Sequence, residues 1–192
     1  MAIKKKTVII VAVIIAFLGI IGVGSGYTVY LRVMAPNVAV QEDVSLYVKP
    51  TFNLDSILVQ TQKLQLFKNE GSFEWWANRQ NLGNHLTAGR YVITPGMSNR
   101  AIVNLLMSGR QTPVNVTFNN IRTKADFAGR IGEQLIADSS DFVAYFDSSA
   151  YFSTLGLNKD NFMTIFIPNT YELYWNADAE GFVKRMAKEH DN

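Results

Sequence analysis

Thr7–Leu31, TVIIVAVIIAFLGIIGVGSGYTVYL, runs without one Asp, Glu, Lys, Arg or His. Wound as a helix at 1.5 Å per residue, it reaches roughly 37 Å, enough to cross a hydrocarbon core of about 30 Å with some tilt. A cleaved signal peptide has a shorter apolar core, although Gly24-Ser25-Gly26 offers a weak cleavage-like site. A buried soluble helix of this length would keep a polar stripe at helical period, and none is present. The pattern therefore predicts a retained transmembrane helix over 7–31. Gly22 and Gly26 form a GxxxG that could pair two such helices.

Beyond the span the pattern changes to short amphipathic pieces. Residues 32–43 read as a polar juxtamembrane connector lying in water. Ser45–Val48 alternates as a strand and Asn53 caps a helix to about Lys63. Ser72 caps a second helix carrying Phe73, Trp75 and Trp76, and Ala88–Ile93 forms a second strand. Ser98 caps a helix with Ile102, Leu105 and Leu106 on one face, ended by Gly109 in a left-handed conformation. Val114–Phe118 alternates as a strand. Thr123 with Asp126 opens a helix whose Phe127, Ile131 and Leu135 repeat every four residues. Short helices are expected over 140–146 and 149–155, then a dense apolar stretch, Phe162–Trp175, broken at Pro168-Asn169. Ala179–Lys188 is a last amphipathic helix. The fold class is α+β.

Charge refines the topology. Lys4, Lys5 and Lys6 directly precede the span, so the positive-inside rule keeps the N-terminus, residues 1–6, in the cytoplasm and places the rest outside. The chain holds 18 basic and 16 acidic residues, and with those three lysines set aside the exported part is nearly balanced. Its basicity is a topology signal and gives no nucleic-acid footprint. There is no cysteine, so the exported part must fold without disulfides. His85 and His190 lack metal-ligand spacing, and neither a metal nor a cofactor is expected.

Three ordered motifs go further. They are Ala88-Gly89-Arg90-Tyr91 with Thr94-Pro95-Gly96-Met97-Ser98 and Leu105-Leu106-Met107-Ser108-Gly109; the strand Val114–Phe118 running into Ile121-Arg122-Thr123; and Ile167-Pro168-Asn169-Thr170-Tyr171-Glu172. Behind one N-terminal span, this set resembles the MltG (YceG-like) endolytic murein transglycosylases. The resemblance implies a LysM-like βααβ subdomain with its following helix over 44–110, and the start of a catalytic domain over 111–192. It implies a single-pass protein of the bacterial inner membrane that cleaves nascent peptidoglycan strands to 1,6-anhydromuramyl ends. Glycan strands and the lipid bilayer are the implied partners, with peptidoglycan synthases as a further candidate.

The family's catalytic glutamate lies in an A-S-I-x-E-x-E motif downstream of P-D-T-Y, and these 192 residues contain no such motif. Asn169 stands where the family usually has Asp, and Met163-Thr164 where many members have Glu-Gly. The resemblance thus places substrate contacts at Asn169, Thr170, Tyr171 and Glu172, with the general acid expected beyond Asn192. A lytic transglycosylase needs one protonated carboxylic acid to protonate the glycosidic oxygen, while the muramyl C6 hydroxyl replaces water as nucleophile. The 192-residue chain is accordingly expected to be inactive as a fragment, with Phe162–Trp175 left as partly exposed apolar surface.

Two alternatives stay in view. The chain could be an anchored glycan-binding or scaffold module of the envelope that never cuts. Its Phe73, Trp75, Trp76 and Tyr91 would suit sugar stacking, although bulk of this kind more often fills a small core. An aminodeoxychorismate lyase is disfavoured, because that chemistry uses a cytosolic pyridoxal-phosphate lysine.

Overall fold

The computed structural model describes residues 5–119, 122–148 and 150–190, with the side chains of 5–9, 11 and 12 excepted. Lys4, Ile121, Ser149 and Asn192, on which some of the expectations above fall, lie outside the described residues. The chain separates into two compact units: 1–44, 53–85 and 93–107 in the first, and 45–52, 86–92 and 108–192 in the second.

The first unit begins with helix α1, Lys5–Met34, whose apolar side chains from Val13 to Leu31 stand exposed. An unburied apolar helix of this length suits a bilayer and no soluble core. Helix α2, Leu54–Lys63, starts as expected at Asn53, whose side chain accepts the Ser56 N–H. Helix α3, Glu70–Arg79, departs from the reading by one turn. Its cap is Asn69, which accepts the Ser72 N–H at 2.8 Å, because Ser72 is buried and its hydroxyl is engaged elsewhere. Helix α4, Leu82–His85, was not anticipated; α5, Asn99–Ser108, was, with Ser98 Oγ accepting the Ala101 N–H. Ile57, Leu66, Phe67, Phe73, Ala77, Leu82, Ile102, Val103 and Leu106 are buried, and Phe67 stacks on Phe73 at 4.3 Å.

The connector does not lie in water. Val33, Asn37 and Val38 are buried, and the backbone of 37–39 bonds to Met97 O, Leu66 O and the Lys68 N–H. A bridge pairs Pro36 with Ser98 and another pairs Val38 with Phe67. Polarity misled here: Asn37 is polar, but its amide satisfies groups inside the unit, where water cannot.

That interior holds a closed polar cluster. Asn37 Nδ2 donates to Asn99 Oδ1 at 2.8 Å and to Asn69 O at 2.9 Å, while Asn37 Oδ1 accepts the Asn69 N–H at 2.9 Å. Asn99, with no exposed surface, donates to Arg32 O at 2.7 Å and to Ser72 Oγ at 2.9 Å. Arg32 O lies in the last turn of α1, where carbonyls lack intrahelical partners. Helix α1 is thus stitched to α3 and α5 by side-chain amides.

In the second unit, strand β1, Val44–Val48, pairs with β2, Gly89–Ile93; the terminal residues Val44 and Ile93 group with the first unit. Gly109 has φ +67°, and a Cβ there would meet Thr87 Cγ2 at 3.0 Å. Gly89, at φ +155°, would put a Cβ into the Gln111 side chain. Both glycines answer the expectation that a side chain is poorly tolerated. Gly109→Val is expected to cost on the order of 1 kcal/mol or more, read as a lowered denaturation midpoint.

Strand β3, Val114–Phe118, pairs antiparallel with β4, Asn169–Leu173, and Val116 faces Tyr171 across the ribbon. Against one face pack α6, Lys124–Gly132, α7, Ser139–Ser148, α8, Tyr151–Thr154, a 3-10 turn over Phe162–Ile165, and α9, Ala179–His190. Their shared core is largely phenylalanine: Phe118, Phe127, Phe142, Phe146, Phe152, Phe162, Phe166 and Phe182 are all buried. The apolar stretch 162–175 is therefore not a bare surface. Phe162, Ile165, Phe166, Tyr171 and Leu173 are buried, and only Ile167 and Tyr174 of its large apolar side chains are exposed. The partners it needs come from α6, α7 and α9, helices legible in the sequence whose joint closure was not.

Helix starts in this unit follow local chemistry. Thr123 Oγ1 accepts the Asp126 N–H at 3.1 Å. Asp138 accepts the N–H groups of Ser140 and Asp141 at 2.8 and 3.0 Å, opening α7. Hydrogen bonds from the Ser140 hydroxyl and then from those backbone groups hold the Asp138 carboxyl below its ordinary value. A depressed folded value gives a contribution that is complete above the unfolded value and is lost as pH falls through the folded one. Acid titration of stability should therefore be flatter below the usual Asp range in Asp138→Ala than in the native chain.

Candidate functional site

Alternation splits the β3–β4 ribbon into two faces. Val116, Phe118, Tyr171 and Leu173 point into the core, where Phe118 stacks on Tyr171 at 5.4 Å. Asn169, Thr170 and Glu172 are exposed on or beside the other face, with Asn115 opposite Glu172 and Thr117 opposite Thr170 in register. The two threonine hydroxyls bond at 2.8 Å. Of the four residues singled out by the resemblance, Thr170 and Glu172 thus share the outer face, Tyr171 faces in, and Asn169, in register with Phe118, is exposed at the strand's end. The Tyr171 hydroxyl donates to Ile167 O at 2.6 Å, fixing the chain just before Pro168-Asn169. Burial first, and the charge of Glu189 second, push that phenol above its ordinary value.

Gln134, just past α6, secures the ribbon's free edge. Its Oε1 accepts the Thr117 N–H at 2.9 Å and its Nε2 donates to Thr117 O at 3.2 Å, so the side-chain amide pairs like a strand.

Two of the hollows on this unit are lined by ribbon residues. One, of about 460 Å³, is lined by Glu172, Tyr174, Asn176 and Arg185 with Pro113, Leu173, Ala177 and Gly181. Arg185 is held in an ion pair with Glu189 at 2.7 Å. The other, of about 490 Å³, is lined by Tyr47, Val114, Asn115, Glu133, Gln134 and Trp175. Tyr47 and Trp175 meet edge to face at 4.9 Å. Asn115 and Glu172, opposite each other in the ribbon, therefore contribute one side chain to each hollow.

Chemically these side chains are of the kinds that contact sugars. Aromatic faces pack the apolar side of a sugar ring, and amides and carboxylates beside them bond hydroxyl and N-acetyl groups. Glu172 is exposed and lines an open hollow. Among the described residues no group of three or more His, Cys, Asp and Glu could hold a metal ion.

The aromatic residues weighed from the sequence sort differently. Phe73 and Tyr91 are fully buried, with the Tyr91 hydroxyl donating to Thr87 O, and Trp75 and Trp76 are half-buried in the first unit. In the sequence Tyr47 and Trp175 look like ordinary strand and segment residues. Their pairing joins positions 128 apart, and no local pattern signals it.

The curated proteins contain no match to this chain. Among solved structures, a yceG-like protein from Listeria monocytogenes is 17% identical, with a TM-score of 0.42; the match covers 79% of this chain and 55% of that one. The chain therefore spans about half the length of that relative. The model of the YceG-like family matches residues 46–192, a range that includes the ribbon and every residue lining both hollows. By that match the chain belongs to the YceG-like family.

Proposed function

We propose that the chain is the membrane-anchored, extracytoplasmic N-terminal portion of an endolytic peptidoglycan transglycosylase, and that its β3–β4 outer face holds the glycan strand. The observation that carries the reading is the outward-facing set Asn115, Thr170 and Glu172 beside the Tyr47–Trp175 pair, within a family match that includes the P-N-T-Y-E segment. In this account Tyr171 acts from behind, holding Ile167 and so the turn that presents Asn169.

The reaction divides between binding and proton transfer. A protonated carboxylic acid gives its proton to the glycosidic oxygen while the muramyl C6 hydroxyl closes on the anomeric carbon. The portion described here supplies orientation, and the acid comes from the A-S-I-x-E-x-E segment of the complete enzyme. Exposed Glu172 bonds sugar hydroxyls and does not act as the acid. Because Glu172 is exposed, the anchored glycan-binding module remains a second reading, which shares the surface and lacks the cut.

Binding is tested on the full chain in lipid nanodiscs with N-acetylglucosamine–N-acetylmuramic acid oligosaccharides. Trp175→Ala should weaken binding about ten-fold, the equivalent of about 1.4 kcal/mol. Unchanged affinity in Trp175→Ala and Glu172→Gln alike would move the glycan off this face. Orientation is tested separately: a reporter active only in the cytoplasm, fused after Asn192, should be silent. A mature protein beginning near Gly26 would remove the retained anchor.

A further inference from the structure

The uncharged run ends at Leu31, and Arg32 is the first charge beyond it. Helix α1 continues to Met34, so its last turn already belongs to the folded unit. Three groups gather there. The Trp75 ring lies 6.0 Å from the Arg32 guanidinium, Arg100 Nη1 lies 3.8 Å from Met34 Sδ, and Tyr27 and Tyr30 stand exposed one to two turns below. Arg32 and Arg100 are exposed, and neither pairs with a carboxylate among the described residues. The junction cannot swivel freely, because Asn99 holds Arg32 O while also bonding Ser72 of α3 and accepting from Asn37.

We propose that the first unit docks on the outer surface of the membrane, with Trp75, Arg32 and Arg100 seated among anionic phospholipid headgroups. This rests on the reading that α1 spans a bilayer. Continuity fixes the occupant: where an uncharged span ends, the next side chains lie at the level of the headgroups. Indole prefers that level, being apolar in body with one N–H donor. Guanidinium groups free of carboxylate partners match phosphate oxygens in fork geometry. A tyrosine pair below and a tryptophan with two arginines above form the aromatic and basic girdle of a membrane interface. The polar cluster then has a task beyond stability: it sets the angle at which the unit leaves the membrane.

The test uses the full chain in bilayers of phosphatidylcholine with phosphatidylglycerol in equal parts. With Trp76→Phe and Trp175→Phe, Trp75 is the sole indole. Its emission should be quenched about two-fold more by lipids brominated near the carbonyl end of the acyl chain than by lipids brominated near the methyl end. Replacing phosphatidylglycerol by phosphatidylcholine, or introducing Arg32→Gln with Arg100→Gln, should reduce that quenching. Since the native chain has no cysteine, a spin label at Arg100→Cys reports depth independently if the tryptophan variants misfold. A chain that stays in the bilayer with Trp75 unquenched and the label in bulk water overturns the docking and leaves the span standing. A chain extracted from the bilayer by alkaline carbonate overturns the span reading itself.

Discussion

Phe127→Ala is expected to cost about 3–5 kcal/mol, a large share of the roughly 5–15 kcal/mol that holds a domain folded. Phe127 is 1% exposed and sits at the hub of the aromatic core. Its ring meets Phe118 edge to face at 4.9 Å, Phe166 at 4.5 Å, Phe146 at 6.0 Å and Phe182 at 6.2 Å. Those partners come from β3, the turn before β4, α7 and α9, so one truncation loosens every layer that supports the ribbon. The neighbours are rigid rings that cannot collapse into the space, so most of the cavity persists. Urea denaturation followed by near-ultraviolet circular dichroism checks this. Phe127→Leu, which keeps much of the volume, should recover about half of the loss.

Asn99→Leu is expected to cost about 2–4 kcal/mol in the first unit, although leucine is close to asparagine in size. The substitution strands Arg32 O, leaves Asn37 Nδ2 with Asn69 O but without Asn99 Oδ1, and removes one of the bonds to Ser72 Oγ. A buried polar group left unpaired loses its water without compensation, which an apolar side chain of similar shape cannot repay. Ser72→Ala, which leaves Asn37 bonded to Asn99 and Asn69, should cost less. Hydrogen exchange of α3 and α5 in nanodiscs reads the loss directly. Equal protection in Asn99→Leu and the native chain would remove the network from the account.

Much of this architecture could be read from the chain because its signals are local. The long apolar N-terminal helix, the Asn53 and Thr123 caps, the left-handed Gly109 and the alternation of Val114–Phe118 each need only a few neighbouring residues. What escaped needs residues far apart. Asn37 looks like a solvated linker residue until Asn69 and Asn99 arrive to bond it. Asn69 and Ser72 compete for the same capping role, and burial of Ser72 decides between them. Phe162–Trp175 seemed to lack partners because the period of α6, α7 and α9 shows that each has an apolar face without showing that those faces meet.

The same limit applies to the site. The resemblance pointed to Asn169–Glu172 without saying which of them share a face, and the pairing with β3 puts Thr170 and Glu172 on the outer one with Asn115 and Thr117. The pairing of Tyr47 with Trp175 has no counterpart in spacing or composition, so the aromatic part of the recognition surface appears only in three dimensions.

The division of labour between binding and cutting is the central claim, and one assay reaches it. The native chain in nanodiscs is incubated with polymerised, uncrosslinked peptidoglycan, and the strands are analysed by mass spectrometry for 1,6-anhydromuramyl ends. The account predicts strands retained by the chain at unchanged length, with retention weakened in Trp175→Ala. Accumulating anhydro ends that disappear in Glu172→Gln would contradict it and make Glu172 the general acid.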